Sequence, residues 1–256
     1  MRQVYLALLL AVFAAVILPS AHAGFTVIGT NTTVSLNLNT SASVTDILKV
    51  SVSNSSVSQY SQDRLALNLT LSQWQNLIGP ALVEHIINPT GSVYHFNFLP
   101  GPLLDVGGGS KIAYLYLTYY VSNVTKVSQT APRVFNYTFN NEVFNFEHAA
   151  SGVVLGQNTT LTVVLPAGSK IVSVYPPPDS PASGFLSGYR NVTQFSWYSN
   201  EPLSKFTLVY DVQQSLEGEV LSFFGQIYAT LGLFIYVIIA AAIAIFIFYT
   251  YKRANK

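Results

Sequence analysis

The strongest constraint on this chain is a strict alternation of apolar and polar residues that recurs through its middle region. Val34, Leu36 and Leu38 alternate with Ser35 and Asn37; Leu48, Val50 and Val52 with Lys49 and Ser51; Tyr94, Phe96 and Phe98 with His95 and Asn97. Later come Leu161/Val163/Leu165, Phe195/Trp197 and Phe206/Leu208/Tyr210/Val212, the last with Asp211 on the opposite parity. A period of two puts successive side chains on opposite faces of a strand, so each segment predicts a strand with one face buried. Leu65, Leu67, Leu69 and Leu71 repeat the pattern around Asn68, as do Phe135, Tyr137 and Phe139 around Asn136. Roughly ten to twelve short strands bury their apolar faces most simply in a sandwich. The expected class is therefore mainly β, a β-sandwich-like exported domain with a short helical insertion, plus one C-terminal transmembrane helix.

Ile112–Val121 (IAYLYLTYYV) is apolar on both parities. It is too short to span a membrane as a helix, so it predicts either a central strand covered on both sides or one that presents a ladder of tyrosines. The helical insertion is marked by Ser72 with Gln75 three residues on, a capping-box spacing, and by Trp74, Leu77 and Ile78 on one helix face. Gly79-Pro80 ends that turn and can start a second helix over Pro80–Ile87.

Val220–Tyr251 contains no charged residue and is followed at once by Lys252, Arg253 and Lys256. A spanning helix needs roughly 20 apolar residues, and basic residues beside a span mark its cytoplasmic side. Within it Ala240 and Ala244 are spaced as small residues that let a neighbouring helix approach. At the other end, Arg2, the apolar run Val4–Leu18 and Ala21-His22-Ala23 have the layout of a cleavable leader. The expected organisation is a signal peptide over 1–23, an extracytoplasmic β-rich domain over 24–212, a juxtamembrane segment and membrane helix over 213–251, and a basic cytoplasmic tail over 252–256. A candidate sub-boundary lies at 128–132. The expected location is the cell membrane, crossed once, with the N-terminus outside.

Cysteine is absent, which excludes disulfides, thiolate metal sites and cysteine nucleophiles. Through Glu219 the exported part holds eight basic and eleven acidic residues after Arg2. Such a charge-poor, mildly acidic surface has no footprint for nucleic acid. Its polarity comes from Ser, Thr and Asn, with glycosylation acceptor sequences at Asn31, Asn39, Asn54, Asn68, Asn123, Asn136, Asn158 and Asn191.

Catalytic motifs are missing. Glu84-His85 and Glu147-His148 are adjacent acid–imidazole pairs, without the i, i+4 spacing of paired helical metal ligands. Gly107-Gly108-Gly109-Ser110-Lys111 lacks the order of a phosphate loop and precedes a strand pattern where such a loop needs a helix. No G-x-S-x-G elbow occurs. Pro176-Pro177-Pro178 predicts an exposed extended segment, a spacer in preference to a peptide-like docking edge.

In composition and layout the chain resembles archaeal surface proteins; that resemblance rests on no motif and implies no site residues. No catalytic residue, cofactor or metal is expected. The function expected is a single-pass surface glycoprotein whose non-catalytic domain serves envelope structure, adhesion or contact with other proteins or glycans. The alternative is an accessory subunit of a membrane complex acting through its membrane helix, and a tethered hydrolase ranks third.

Overall fold

The computed structural model describes residues 24–66, 69–89, 93–107, 110–150, 152–181, 192–214, 220, 223–226, 228–229, 232 and 234–254. The expected leader over 1–23, Leu67, Asn68, Asn191 and Lys256 lie outside them. The fold is mainly β. Its strands are β1 (Phe25–Leu36), β2 (Ala42–Val52), β3 (Tyr94–Pro100), β4 (Leu104–Asp105), β5 (Lys111–Val121), β6 (Thr125–Ala131) and β7 (Val134–Phe139). They continue with β8 (Glu147–Ala149), β9 (Gly152–Val154), β10 (Thr159–Val164), β11 (Ser169–Tyr175), β12 (Gln194–Trp197) and β13 (Thr207–Gln213). Helices are α1 (Val57–Leu65), α2 (Leu71–Ile78) and α3 (Phe234–Ala254).

A seven-stranded sheet runs in the order β12-β10-β1-β2-β5-β3, with β4 pairing on β5. A four-stranded sheet runs β11-β13-β7-β6, and β8 and β9 form a separate ribbon. In the large sheet β1 and β2 are an antiparallel hairpin joined by a turn at Asn39 and Thr40, while β1 pairs with β10 in parallel. Thr40 holds a left-handed conformation at φ 67°, unusual for a β-branched residue. Asn39 Oδ1 accepts from the Ser41 amide at 3.3 Å and from its hydroxyl at 2.7 Å, bracing that turn.

The predicted alternation sets the faces of this sheet. Val44, Leu48, Val50 and Val52 of β2 are fully buried, as are Ala113, Leu115, Leu117 and Val121 of β5. Each of these valines and leucines taken out of water contributes about 1.5–3 kcal/mol. Farther along, Trp197, Phe206, Phe139 and Phe144 form an aromatic cluster, with Trp197 and Phe206 edge to face at 5.0 Å. Tyr137 of β7 lies flat on Tyr210 of β13, centroids 5.2 Å apart.

The helical insertion differs from the sequence expectation in three ways. Among the described residues the leucine alternation at 65–71 holds no strand: Leu65 ends α1 and is exposed, and Leu71 begins α2. The apparent period of two spans the junction of two helices. The capping box is Thr70 with Gln73, two residues before the predicted pair, and both reciprocal bonds are present. Pro80–Ile87 is irregular rather than helical. Its amides are taken by distant acceptors, His85 N–H by Asp46 Oδ2 and Ile86 N–H by the Tyr119 hydroxyl, which leaves no helical ladder. Both helices pack through aromatic rings: Tyr60 meets Trp74 at 5.6 Å and Trp74 meets Phe98 at 5.6 Å. The Tyr60 hydroxyl donates to the Gly101 carbonyl at 2.8 Å. A Cβ at Gly101 would stand 2.6 Å from the Tyr114 carbonyl oxygen, so only glycine lets this segment lie so close to β5.

The triproline is not the exposed spacer expected. Pro176 and Pro178 are buried, and the Pro176 carbonyl accepts from Trp197 Nε1 at 2.9 Å. A buried indole N–H needs a partner, and a proline carbonyl supplies one without adding a donor of its own.

By contacts the chain forms two units, Met1–Ser128 with Asn136–Asp211, and Gln129–Phe135 with Val212–Lys256. In the second, Arg133 donates through Nε and Nη2 to the Gln214 carbonyl at 3.2 and 3.0 Å. This unit also contains α3, whose last turn carries Lys252 and Arg253. Among the described residues no helix is long and apolar enough to cross a membrane, so the expected transmembrane helix is not a feature of the described fold.

Candidate functional site

Two arrangements in the first unit gather its polar side chains. The buried one centres on Asp46, which lies in phase with Leu48 and Val50 on the core face of β2 and is 0% exposed. A carboxylate there must be met by donors or its burial is prohibitive. Thr32 of β1 donates to Oδ1 at 2.5 Å, Tyr119 of β5 donates to Oδ2 at 2.8 Å, and the His85 amide reaches Oδ2 at 3.3 Å. His85 Nδ1 stands 3.3 Å from Oδ1, near enough for an ion pair when the ring is protonated but out of line for a good hydrogen bond. The ring stacks on Phe146 at 5.1 Å. Burial, and secondly the charge of Asp46, hold the Tyr119 hydroxyl far above the ordinary tyrosine range. This network fastens the irregular 80–89 segment to two strands of the sheet.

His85 also lines a cleft of about 540 Å³ together with Asn145, Glu147 and His148. The two acid–imidazole pairs of the sequence thus send His85 and His148 to one cleft. Among the described residues no group of three or more His, Asp or Glu could hold a metal ion.

The second arrangement is the other face of the large sheet. Register aligns Thr118, Thr45, Thr33, Thr162 and Ser196 in one row across five strands. At about 4.8 Å between strands this row of hydroxyls extends about 19 Å. The Thr162 and Ser196 hydroxyls share a hydrogen bond at 2.9 Å. An adjacent row holds Leu99, Tyr116, Ile47, Asn31 and Thr160. On the other flank Tyr94 stacks against Tyr120 at 5.7 Å. β5 therefore buries alternate residues and turns Tyr114, Tyr116 and Tyr120 to the less buried face, which is the tyrosine ladder and not the strand covered on both sides. Near one end of this face is a hollow of about 510 Å³, lined in part by Asn31, Ile47, Lys49, Tyr114, Asn158 and Tyr198. Rings and hydroxyls with one cation suit stacking and hydrogen bonding to a polyhydroxylated or peptide surface more than binding a phosphate chain.

Of the acceptor asparagines, Asn31, Asn39, Asn54, Asn123 and Asn158 are exposed. Asn123 and Asn158 hold left-handed turns at φ 56° and 58°. Asn136 is half-buried, and its Nδ2 donates to Asp211 Oδ1 at 2.8 Å. The two small residues Ala240 and Ala244 are exposed on α3. The structure brings Asn31 and Asn158 together in the hollow, and none of the other described acceptors lines it. Sequence inspection missed the Asp46 network, although one signal was present: Asp46 has the parity of Leu48, Val50 and Val52, and Thr32 that of Val34 and Leu36.

No protein-family profile matches the chain, and no curated protein does. Among solved structures it is similar to the folded domain of the Mycobacterium tuberculosis protein LppM, at 9% identity over 76% of this chain and 92% of that one, with a TM-score of 0.26. It is also similar to the Danio rerio Fcho1 Mu homology domain with bound Eps15 peptide, at 12% identity over 74% of this chain and 77% of that one, with a TM-score of 0.19. Likenesses of this size carry no argument about function.

Proposed function

We propose that this chain is a membrane-anchored surface glycoprotein whose β domain makes non-catalytic contacts outside the cell, in envelope structure, adhesion or binding of proteins or glycans. The observation that carries the reading is the Thr/Ser/Tyr face of the large sheet, a wide and nearly uncharged surface with tyrosine rings. The Asp46 network supports a non-catalytic role, because its donors are spent on holding a segment in place. The anchor rests on the sequence alone. Val220–Tyr251 is uncharged there and Lys252 and Arg253 follow it, which favours a single crossing with the basic residues at the cytoplasmic surface.

A second reading draws on α3, where Ala240 and Ala244 are four residues apart and so share a face. A smooth face of this kind suits packing against another helix, in which case the chain serves a membrane complex as an accessory subunit.

Co-purification from native membranes distinguishes the two. Recovery alone or with envelope polymers is expected; a stoichiometric set of integral membrane partners, lost on Ala240→Leu with Ala244→Leu, gives the second reading instead. Protease added to sealed cells should remove the β domain and leave a small membrane fragment. Full protection of that domain, with access only after lysis, overturns the surface location.

A further inference from the structure

Two acceptor asparagines, Asn31 and Asn158, open on one hollow in the tyrosine-bearing face, and they are not equivalent. Asn158 occupies a left-handed turn outside the strands, with its carbonyl accepting the Thr30 amide at 3.0 Å. Asn31 lies within β1, opposite Ile47 on one side and Thr160 on the other, and the same row continues to Tyr116. Its exposed side chain stands on the sheet among the groups that line the hollow. Resting on the reading of the chain as an exported glycoprotein, we infer that Asn31 carries an N-linked glycan that lies down in this hollow, with the first sugars against Ile47, Tyr114 and Tyr198.

The chemistry of the hollow fits that occupant. Sugar rings present apolar C–H faces and a rim of hydroxyls. Ile47 and the rings of Tyr114 and Tyr198 supply flat apolar contact, and the Thr160 hydroxyl and the Lys49 ammonium supply partners for the rim. At about 510 Å³ the hollow falls within the roughly 300–1,000 Å³ of small-ligand sites. A tethered ligand is present at high effective concentration, so weak contacts of this kind suffice to hold it. The glycan would cover apolar and aromatic surface on a domain with little charge of its own to oppose association. Apart from Asn158, the other described acceptors are not among the groups lining the hollow, and no bed of this kind is inferred for them.

The test uses the full-length protein purified from its native membrane. Peptide mass spectrometry determines which acceptors are occupied, and hydroxyl-radical footprinting measures the reactivity of individual tyrosines. Asn31 is expected to be occupied. Asn31→Gln, and separately Thr33→Ala, which removes the acceptor while retaining Asn31, should raise labelling of Tyr114 and Tyr198 several-fold. Asn54→Gln should leave both unchanged. Occupancy at any other acceptor, Asn158 included, with Asn31 bare overturns the inference and spares the glycoprotein reading. So does an occupied Asn31 whose removal leaves Tyr114 and Tyr198 labelling as it was. A native mass equal to that of the bare polypeptide overturns both together.

Discussion

The Tyr119 hydroxyl donates to Asp46 Oδ2 at 2.8 Å while it accepts the Ile86 amide at 3.1 Å. One phenol thereby joins two strands of the large sheet to the irregular segment beside them. Tyr119→Phe removes both bonds and leaves a buried amide without its acceptor. The expected loss is about 1–3 kcal/mol, the cost of an unsatisfied buried polar group. Asp46→Ala should cost more, because the Thr32 and Tyr119 hydroxyls and the His85 amide all lose their acceptor. Denaturant unfolding of the purified protein measures both, and effects within about 0.5 kcal/mol of wild type, the range of surface substitutions, would mean the network is not holding the segment.

The two faces of β2 should respond differently to truncation. Leu48 is fully buried, whereas Thr45 belongs to the hydroxyl row of the opposite face. Leu48→Ala is expected to cost about 2–5 kcal/mol through lost burial and the cavity left behind. Thr45→Ala should stay within about 0.5 kcal/mol. Comparable losses at both positions would show that the hydroxyl face is itself packed against something.

Burial, with the nearby Asp179 carboxylate as the second cause, raises the Glu201 carboxyl above its ordinary 4.5. A carboxyl raised in the folded state favours folding when protonated. Its contribution is fully present below the unfolded value and is lost as pH rises through the folded one. Stability should therefore decline over an interval starting just above the ordinary glutamate value, and Glu201→Gln should remove that decline while matching wild type at lower pH. Denaturation midpoints measured across that interval check this, and parallel pH profiles for the two proteins count against it.

Tyr60, Tyr119 and Tyr210 are all raised by burial far beyond ordinary tyrosines, and Tyr137 is raised for the same reason. Folding keeps these hydroxyls protonated, so the stability they supply is intact below about pH 10 and fades above it. An alkaline titration followed by tyrosinate absorbance should show a class of tyrosines that ionises only with the loss of tertiary structure. If every tyrosine of the protein titrates in one reversible step before unfolding, the buried assignments are wrong.

The alternation was a sound guide wherever a strand packs one face against neighbours, as in β2, β5 and β10, because burial by tertiary contact and sequence period then coincide. It misled at 65–71, where Leu65 belongs to one helix, closed by the Ala66 amide on Gln62 and Asp63, and Leu71 to the next, opened by Thr70. It was silent about Pro80–Ile87, whose conformation depends on a carboxylate and a phenol far away in sequence. The Asp46 network was partly legible: an acidic residue in phase with valines and leucines demands a buried partner. Its partners, Thr32 and Tyr119, become neighbours only through the pairing of β2 with β1 and β5. The nearness of Asn31 and Asn158 depends in turn on β1 meeting β10, a juxtaposition that no local pattern encodes.

That parallel meeting sets an order of assembly. The β1–β2 hairpin closes through a short turn, but Thr30 and Thr159 come together across about half the chain, and the entropy of closing so large a loop delays their contact. Until β10 arrives, one side of β1 is a bare row of amides and carbonyls able to pair with any passing strand. Asn31 sits on that strand. An acceptor filled early in synthesis would place a bulky hydrated group on the one edge of the hairpin that must wait longest for its proper neighbour, so the same modification would act first as a guard against misassembly and only later as part of the finished surface.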